Sequence, residues 1–122
     1  MSFNDLMHPR NIYRNAPPDF VKLAERYEQF RKHTKQGKFR GLKIDFKDPE
    51  ALRALNCTLL EHDFGLKLEI PLDRLIPTVP LRLNYVLWLE DLLSCLPTKQ
   101  EEESKEVRGI DIGRLLMLVC SP

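Results

Sequence analysis

Three prolines in ten residues, Pro71-Leu-Asp-Arg-Leu-Ile-Pro-Thr-Val-Pro80, constrain the fold of this chain more than any other stretch. Proline has no amide hydrogen to give a helix and pushes the residue before it out of the helical region, so the connection is extended and stiff. A loop this apolar must also pack against something. Beyond it lies the best helical pattern in the chain, residues 81–96, in which Leu81, Tyr85, Trp88, Leu89, Leu92 and Leu96 form an apolar stripe. Arg82, Asn84, Glu90 and Asp91 lie beside or opposite that stripe. Arg82 falls in the first helical turn, where the helix dipole disfavours a cation. A ligand or partner carboxylate would account for it, and so would plain solvation.

Residues 1–16 carry Arg10, Arg14, Phe3 and Tyr13 without strand or helix periodicity and form an arm. Pro17-Pro18-Asp19-Phe20 then opens a helix, since proline is tolerated in a first turn and Asp19 suits the positive end of the dipole. Phe20, Leu23, Ala24, Tyr27 and Phe30 recur at helical spacing, and Gly37 is placed to end the segment as a left-handed cap. Leu42–Phe46 alternates with period two, a short strand that directs Phe46 to the core rather than to solvent as a stacking platform. Asp48-Pro49-Glu50 is a compact helix start, and Gly65 ends that helix. Leu66–Ile70 alternates again and is expected to be a second strand. Val107–Gly113 is a third, ending Asp-x-Gly as many nucleotide-binding sheets begin.

Net charge is +1, yet the first 47 residues carry +6 and the remainder −5. Seven cations, Arg31, Lys32, Lys35, Lys38, Arg40, Lys43 and Lys47, fall within seventeen residues, with Phe39 and Phe46 interleaved and Asp45 the only acid. That division suits a polyanion, nucleic acid being the commonest inside cells, and phosphate contacts of this kind weaken steeply with salt. A solvated helix face followed by a loop has the same composition. Cys57, Cys95 and Cys120 have no paired spacing, and Cys57 lies five residues from His62, off a zinc-binding face, so reduced thiols and no metal are expected. No apolar run reaches the roughly 18 residues of a membrane span and no signal peptide opens the chain, which points to cytoplasm or nucleus.

Pro17-Pro-Asp-Phe20, Phe46-Lys-Asp-Pro-Glu50, Arg74-Leu-Ile-Pro-Thr-Val-Pro-Leu-Arg-Leu-Asn-Tyr85 and Arg108-Gly-Ile-Asp-Ile-Gly113 together resemble the amino-terminal part of the methyltransferase-like sixteen family. Its members are S-adenosylmethionine-dependent adenosine N(6)-methyltransferases acting on RNA hairpins, and a bacterial ribosomal RNA methyltransferase belongs with them. The resemblance implies an α/β fold, or α+β in the piece given: an incomplete Rossmann-like methyltransferase with main helices at about 18–34, 49–63 and 80–96 and short strands at about 42–46, 66–70 and 107–112. It divides the chain into a basic arm (1–16), an RNA-binding module (17–98), an acidic loop (99–106), the first strand with the start of the cofactor loop (107–113) and a tail (114–122).

The resemblance also implies roles. Pro17, Pro18, Asp19, Phe20 and Lys47 match RNA contacts of the family, and Arg10, Arg14 and the basic run through Lys43 extend that surface. Arg82 matches an arginine that meets the cofactor, where it would pair with the methionine carboxylate. Gly113 matches the first glycine of the cofactor loop. Arg114 and Leu115 stand where the family has threonine and a second glycine, and no Asn-Pro-Pro-Phe loop follows. Ala16-Pro-Pro-Asp-Phe20 has the wrong order to serve as that loop and is not catalytic. The expectation is a truncated RNA methyltransferase, of a family acting on small nuclear or ribosomal RNA and hairpins, that keeps RNA binding and neither holds the cofactor nor transfers methyl groups alone. The alternative is a protein-interaction fragment that docks through the Trp88 stripe and the tail.

Overall fold

In a computed structural model describing residues 5–37, 41–96 and 108–110, the elements run α1 (Phe20–Arg26), α2 (Glu28–Arg31), β1 (Thr34–Gln36), β2 (Leu42–Ile44), α3 (Pro49–Phe64) and α4 (Val79–Ser94). The long helix α3 forms where the sequence sets its boundaries. Asp48 caps it by accepting from the Glu50 N–H at 3.0 Å, Pro49 occupies the first turn, and Gly65 at φ 65° closes it with its N–H on the Glu61 carbonyl. Ala51, Leu55, Leu59 and Leu60 are buried along it, and around them gather Met7, Tyr13, Leu23, Ala24, Phe30, Ile44 and Val79.

The single helix expected over residues 18–34 is two short ones. Asp19 is the cap of α1, accepting from the Val21 and Lys22 N–H groups, so the two prolines precede the helix rather than entering its first turn. Tyr27 is extended at φ −119°, ψ 107°, and separates α1 from α2. The break sends neighbouring aromatic rings to different places. Phe30 turns wholly inside, edge-on to Phe20 at 5.6 Å, whereas Tyr27 lies against His62 at 5.8 Å. A straight helix would have carried both, three residues apart, on one face.

After α2 the chain forms a hairpin, β1 against β2, antiparallel, with Thr34 opposite Ile44, Lys35 opposite Lys43 and Gln36 opposite Leu42. The strand β1 was not legible as one, since Thr-Lys-Gln has no apolar alternation. Gly37 is not a left-handed cap; Gly65 is the only left-handed glycine among the described residues. Gly37 is needed for close approach, since a Cβ there would come within 3.0 Å of the Gly41 carbonyl and 3.2 Å of the Lys43 Cγ. Leu66–Ile70 is no strand: Leu66 is exposed, Leu68 packs partly buried against the core, Ile70 is buried, and the segment has no ladder partner among the described residues. Residues 108–110 have no regular structure. The acidic loop at 99–106, Gly113 and the tail lie outside the described residues, as does half of the strand expected at 107–112.

The proline-rich connection leads to α4 over the buried Asn56. Its side chain donates to the Leu52 carbonyl at 2.9 Å, and its Oδ1 accepts from the Val79 N–H at 2.9 Å. Thr78, the residue that should cap α4, makes no side-chain cap. Asn56 therefore performs across the core a task usually local to the helix. α4 then presents Val79, Pro80, Leu83 and Leu87 inward, not the anticipated stripe: Leu81, Tyr85, Trp88, Leu92 and Leu96 are exposed, Trp88 by 53%. The polar side of α4 is covered instead by the arm, where Met7, Asn11 and Tyr13 are buried.

Replacing Asn56 by Ala leaves the buried Val79 N–H without a partner, which should lower unfolding free energy by about 1–3 kcal/mol. Urea titration followed by far-ultraviolet circular dichroism measures it; an unchanged midpoint would show that water reaches the start of α4.

Candidate nucleic-acid interface

The basic residues after α2 are carried by the hairpin and by the turn into α3. Arg31, Lys32, Lys35, Lys43 and Lys47 are all exposed; Lys38 and Arg40 lie outside the described residues. Lys35 and Lys43 face each other across the ladder, and no described acid stands within ion-pair distance of either. Directly opposed like charges destabilise an antiparallel pair, and a two-stranded hairpin has little stability to lose. Lys32 reaches Glu28 only at 3.9 Å on an exposed face, a contact of little consequence.

Asp45 ends β2 with a side-chain turn, its Oδ1 accepting from the Lys47 N–H at 2.9 Å. The period-two alternation therefore stops at Ile44, and Phe46 is 43% exposed, not in the core. An exposed ring beside Lys47 can stack on an unpaired base. Sequence periodicity missed this because it carried the strand two residues too far.

Pro17, Pro18 and Asp19 meet the last turn of α3 around an open cavity of about 280 Å³, whose walls include Leu23, Leu59, His62 and Asp63. Tyr13 closes one side, its hydroxyl donating to Asp63 Oδ2 at 2.5 Å. Burial, and after it the bond to Asp63, push the Tyr13 phenol above its usual range, so it stays a neutral donor. Phe20 is half-buried behind the prolines against Phe30. Lys47, at the other end of α3, lies about 20 Å away along the helix axis, so the two sets of sequence-matched residues stand toward opposite ends of α3 rather than at one spot.

The two arm arginines differ. Arg10 is held by acids of α4, through Glu90 at 2.9 Å and Asp91 at 2.7 Å. The Asp91 carboxylate also meets His8 Nε2 at 2.6 Å, and Asn84 accepts from the His8 N–H and from the Asn11 side chain. Arg14 has its Nε buried without a hydrogen-bond partner. Arg82 is half-buried on α4, and its guanidinium donates no hydrogen bond to, and forms no ion pair with, a described residue. Gly113 lies outside the described residues. Among the described residues no cluster suits a metal, and no helix is long and apolar enough to cross a membrane.

The exposed cations of the hairpin and Lys47, with the exposed Phe46 ring near them, suit a polyanion that carries unpaired rings. Residues 1–116 match the sequence signature of a family described as RNA methyltransferase, and the chain belongs to that family. It is 56% identical to the zebrafish RNA N(6)-adenosine-methyltransferase mettl16 over 113 residues, covering 93% of this chain and 22% of the relative. It is 49% identical to a U6 small nuclear RNA (adenine-(43)-N(6))-methyltransferase of Caenorhabditis elegans, again over 93% of this chain and 22% of the relative. The chain thus spans about a fifth of the length of these relatives. Two solved structures resemble it, each with a TM-score of 0.70, 57% identity and 72% of this chain covered: the N-terminal domain of human METTL16 in complex with SAH, 34% of it covered, and the catalytic domain in complex with the MAT2A 3'UTR hairpin 1, 31% covered. The helices and small sheet described above are accordingly part of a Rossmann-like methyltransferase domain.

Hydrogen bonds from His8 and Arg10 hold the Asp91 carboxyl below its ordinary value of 3.8. A carboxyl lowered on folding stabilises the docked arm above that ordinary value and ceases to do so as pH falls through the lowered one. Amide-exchange protection of Asn11 and Arg14 should therefore be full near neutrality and fall below about pH 4, and Asp91→Asn should show the weakened protection already at pH 7. Protection unchanged down to pH 2 would mean that Asp91 does not secure the arm.

Proposed function

We propose that this chain is the RNA-recognition portion of an S-adenosylmethionine-dependent RNA adenosine N(6)-methyltransferase, and that it binds a structured RNA hairpin through the face running from Pro17 to Lys47. The observation that carries the reading is the Lys35–Lys43 pair: two cations held opposite one another, without a described acid, on the least stable element of the fold. A protein tolerates such local repulsion where a ligand neutralises it. Phosphates would do so, and the cations around the hairpin and at Lys47 continue the same track. The hairpin complex of the human relative and the small nuclear RNA named for the nematode relative support the same class of ligand.

The cofactor, when bound, supplies the methyl group. On this chain Arg82 is the residue suited to hold its carboxylate, with Gly113 at the loop beyond. Methyl transfer to an adenine amine needs acceptors that orient the amine, because its lone pair is delocalised into the ring. The sequence contains no Asn-Pro-Pro-Phe loop to provide them. The proposal for the 122-residue chain is therefore RNA binding without methyl transfer of its own.

Lys43→Glu separates this reading from plain solvation, because it should act with opposite signs on stability and binding. The cross-strand pair becomes attractive, raising unfolding free energy by about 0.5 kcal/mol, while affinity for a hairpin RNA falls roughly tenfold at low salt. Gel retardation across a salt series reads the second effect and thermal melting the first. Unchanged RNA affinity in the variant would remove the hairpin from the interface.

A further inference from the structure

We infer that the cavity between Pro17-Pro18-Asp19 and the last turn of α3 receives one unpaired, amine-bearing base of the bound RNA. The inference rests on the RNA-binding reading above and adds to it which part of the RNA enters this site. Size sets the first limit. At about 280 Å³ the cavity falls just below the range of pockets that hold drug-sized ligands, which leaves room for a single base and not for a dinucleotide cofactor.

Charge sets the second. Two carboxylates, Asp19 and Asp63, border the cavity and outnumber its one fixed cation, Lys22, which stands 3.9 Å from Asp19, so a phosphate gains little by entering. The sugar-phosphate track must run outside over the cations, and what points inward is a neutral ring. The walls suit it: Pro17, Pro18 and Leu59 offer apolar surface, and two consecutive prolines have little freedom to lose when a ring settles on them.

Hydrogen-bonding capacity sets the third limit and chooses among bases. Asp19 is engaged as the cap of α1, where its Oδ1 accepts two backbone N–H groups. Asp63 is different. Tyr13 fixes it through Oδ2, and no described residue donates to Oδ1, on an exposed side chain at the cavity wall. A carboxylate oxygen accepts only, so the base edge that meets it must donate. Cytosine, adenine and guanine carry an exocyclic amine that does this; uracil has carbonyl oxygens at its exocyclic positions, and its one donor, the ring N3–H, is flanked by both of them, so it meets a carboxylate less well. Lys22 and His62, at the same wall, can donate to the ring nitrogen beside the amine. Asp63 is thereby the reading residue, and Tyr13 is a positioning residue that acts through it.

The test uses the full 122-residue chain and three hairpin RNAs with one common stem and five-nucleotide loops made of cytidine, uridine or abasic sites. Cytidine and uridine match in size and differ in amine against carbonyl. The cytidine loop should bind roughly tenfold more tightly than the uridine loop, the value of one hydrogen bond to a charged group. Ala16→Trp fills the cavity from an exposed position, so folding is kept, and it should equalise the loops while leaving the salt dependence of binding unchanged. Asp63→Asn, whose amide can donate as well as accept, should also reduce the preference. Equal binding of all three hairpins to the unaltered chain, with salt dependence intact, overturns the base pocket and leaves RNA binding standing. A cytidine preference that survives Ala16→Trp overturns it as well. No binding of any hairpin would overturn both readings.

Discussion

One buried amide connects the two long helices, and the arrangement of the candidate site descends from it. Asn56 lies on α3 with its donor satisfied by its own helix and its acceptor aimed at the first N–H of α4. The connection between them contains two prolines, Pro71 and Pro77, a third stands in the first turn of α4, and no strand or helix lies between the helices, so it can hold distance but not orientation. Orientation comes from the amide, since an unpaired N–H in this buried place would be costly. With α4 fixed, Asn84, Glu90 and Asp91 stand where the arm can bind them, and the docked arm brings Tyr13 onto Asp63. The cavity beside the two prolines thus has a wall whose position is set at the far side of the core.

The same sequence of contacts explains what could be read from residues alone. Helix boundaries written in local chemistry were legible: Asp48, Pro49 and Gly65 mark α3 because each acts within a turn of its own position. The strand Leu42–Ile44 was legible from alternation, but its end was not, because Asp45 stops it by a side-chain bond that apolar periodicity does not register. The face of α4 was misjudged because its stripe is apolar enough for a core, whereas Asn84, Glu90 and Asp91 are taken by an arm with no periodicity of its own. Of the site, the basic run and the Pro17–Phe20 corner were visible in composition and resemblance. Tyr13, His62 and Asp63 were not, since what gives them meaning is their meeting from positions some fifty residues apart in the chain.

Charge is distributed in the structure with more division of labour than in the sequence. Among the cations of the first 47 residues, Arg10 is held by α4 and serves the fold, while Lys35, Lys43 and Lys47 remain exposed on the hairpin side. The acids near the site are likewise engaged: Asp19 caps a helix, Asp45 shapes a turn and Asp63 holds a tyrosine. A net count over-weights the arm and under-weights the hairpin. The chain belongs to an RNA methyltransferase family, and these cations are carried by the helices and hairpin of its partial Rossmann-like methyltransferase fold.

The Lys35–Lys43 register also changes how ionic strength acts on this protein. Opposed side chains on a ladder begin some 5 Å apart, inside the roughly 8 Å screening length of physiological salt, so added electrolyte relieves part of their repulsion in the free protein. Under the proposed RNA binding, phosphates would relieve the same repulsion in the complex, and salt would weaken that binding twice, once by competing for phosphates and once by making the unbound hairpin more comfortable without them. The slope of affinity against salt would then overstate the number of phosphates touched, and the excess would vanish when either lysine is made neutral.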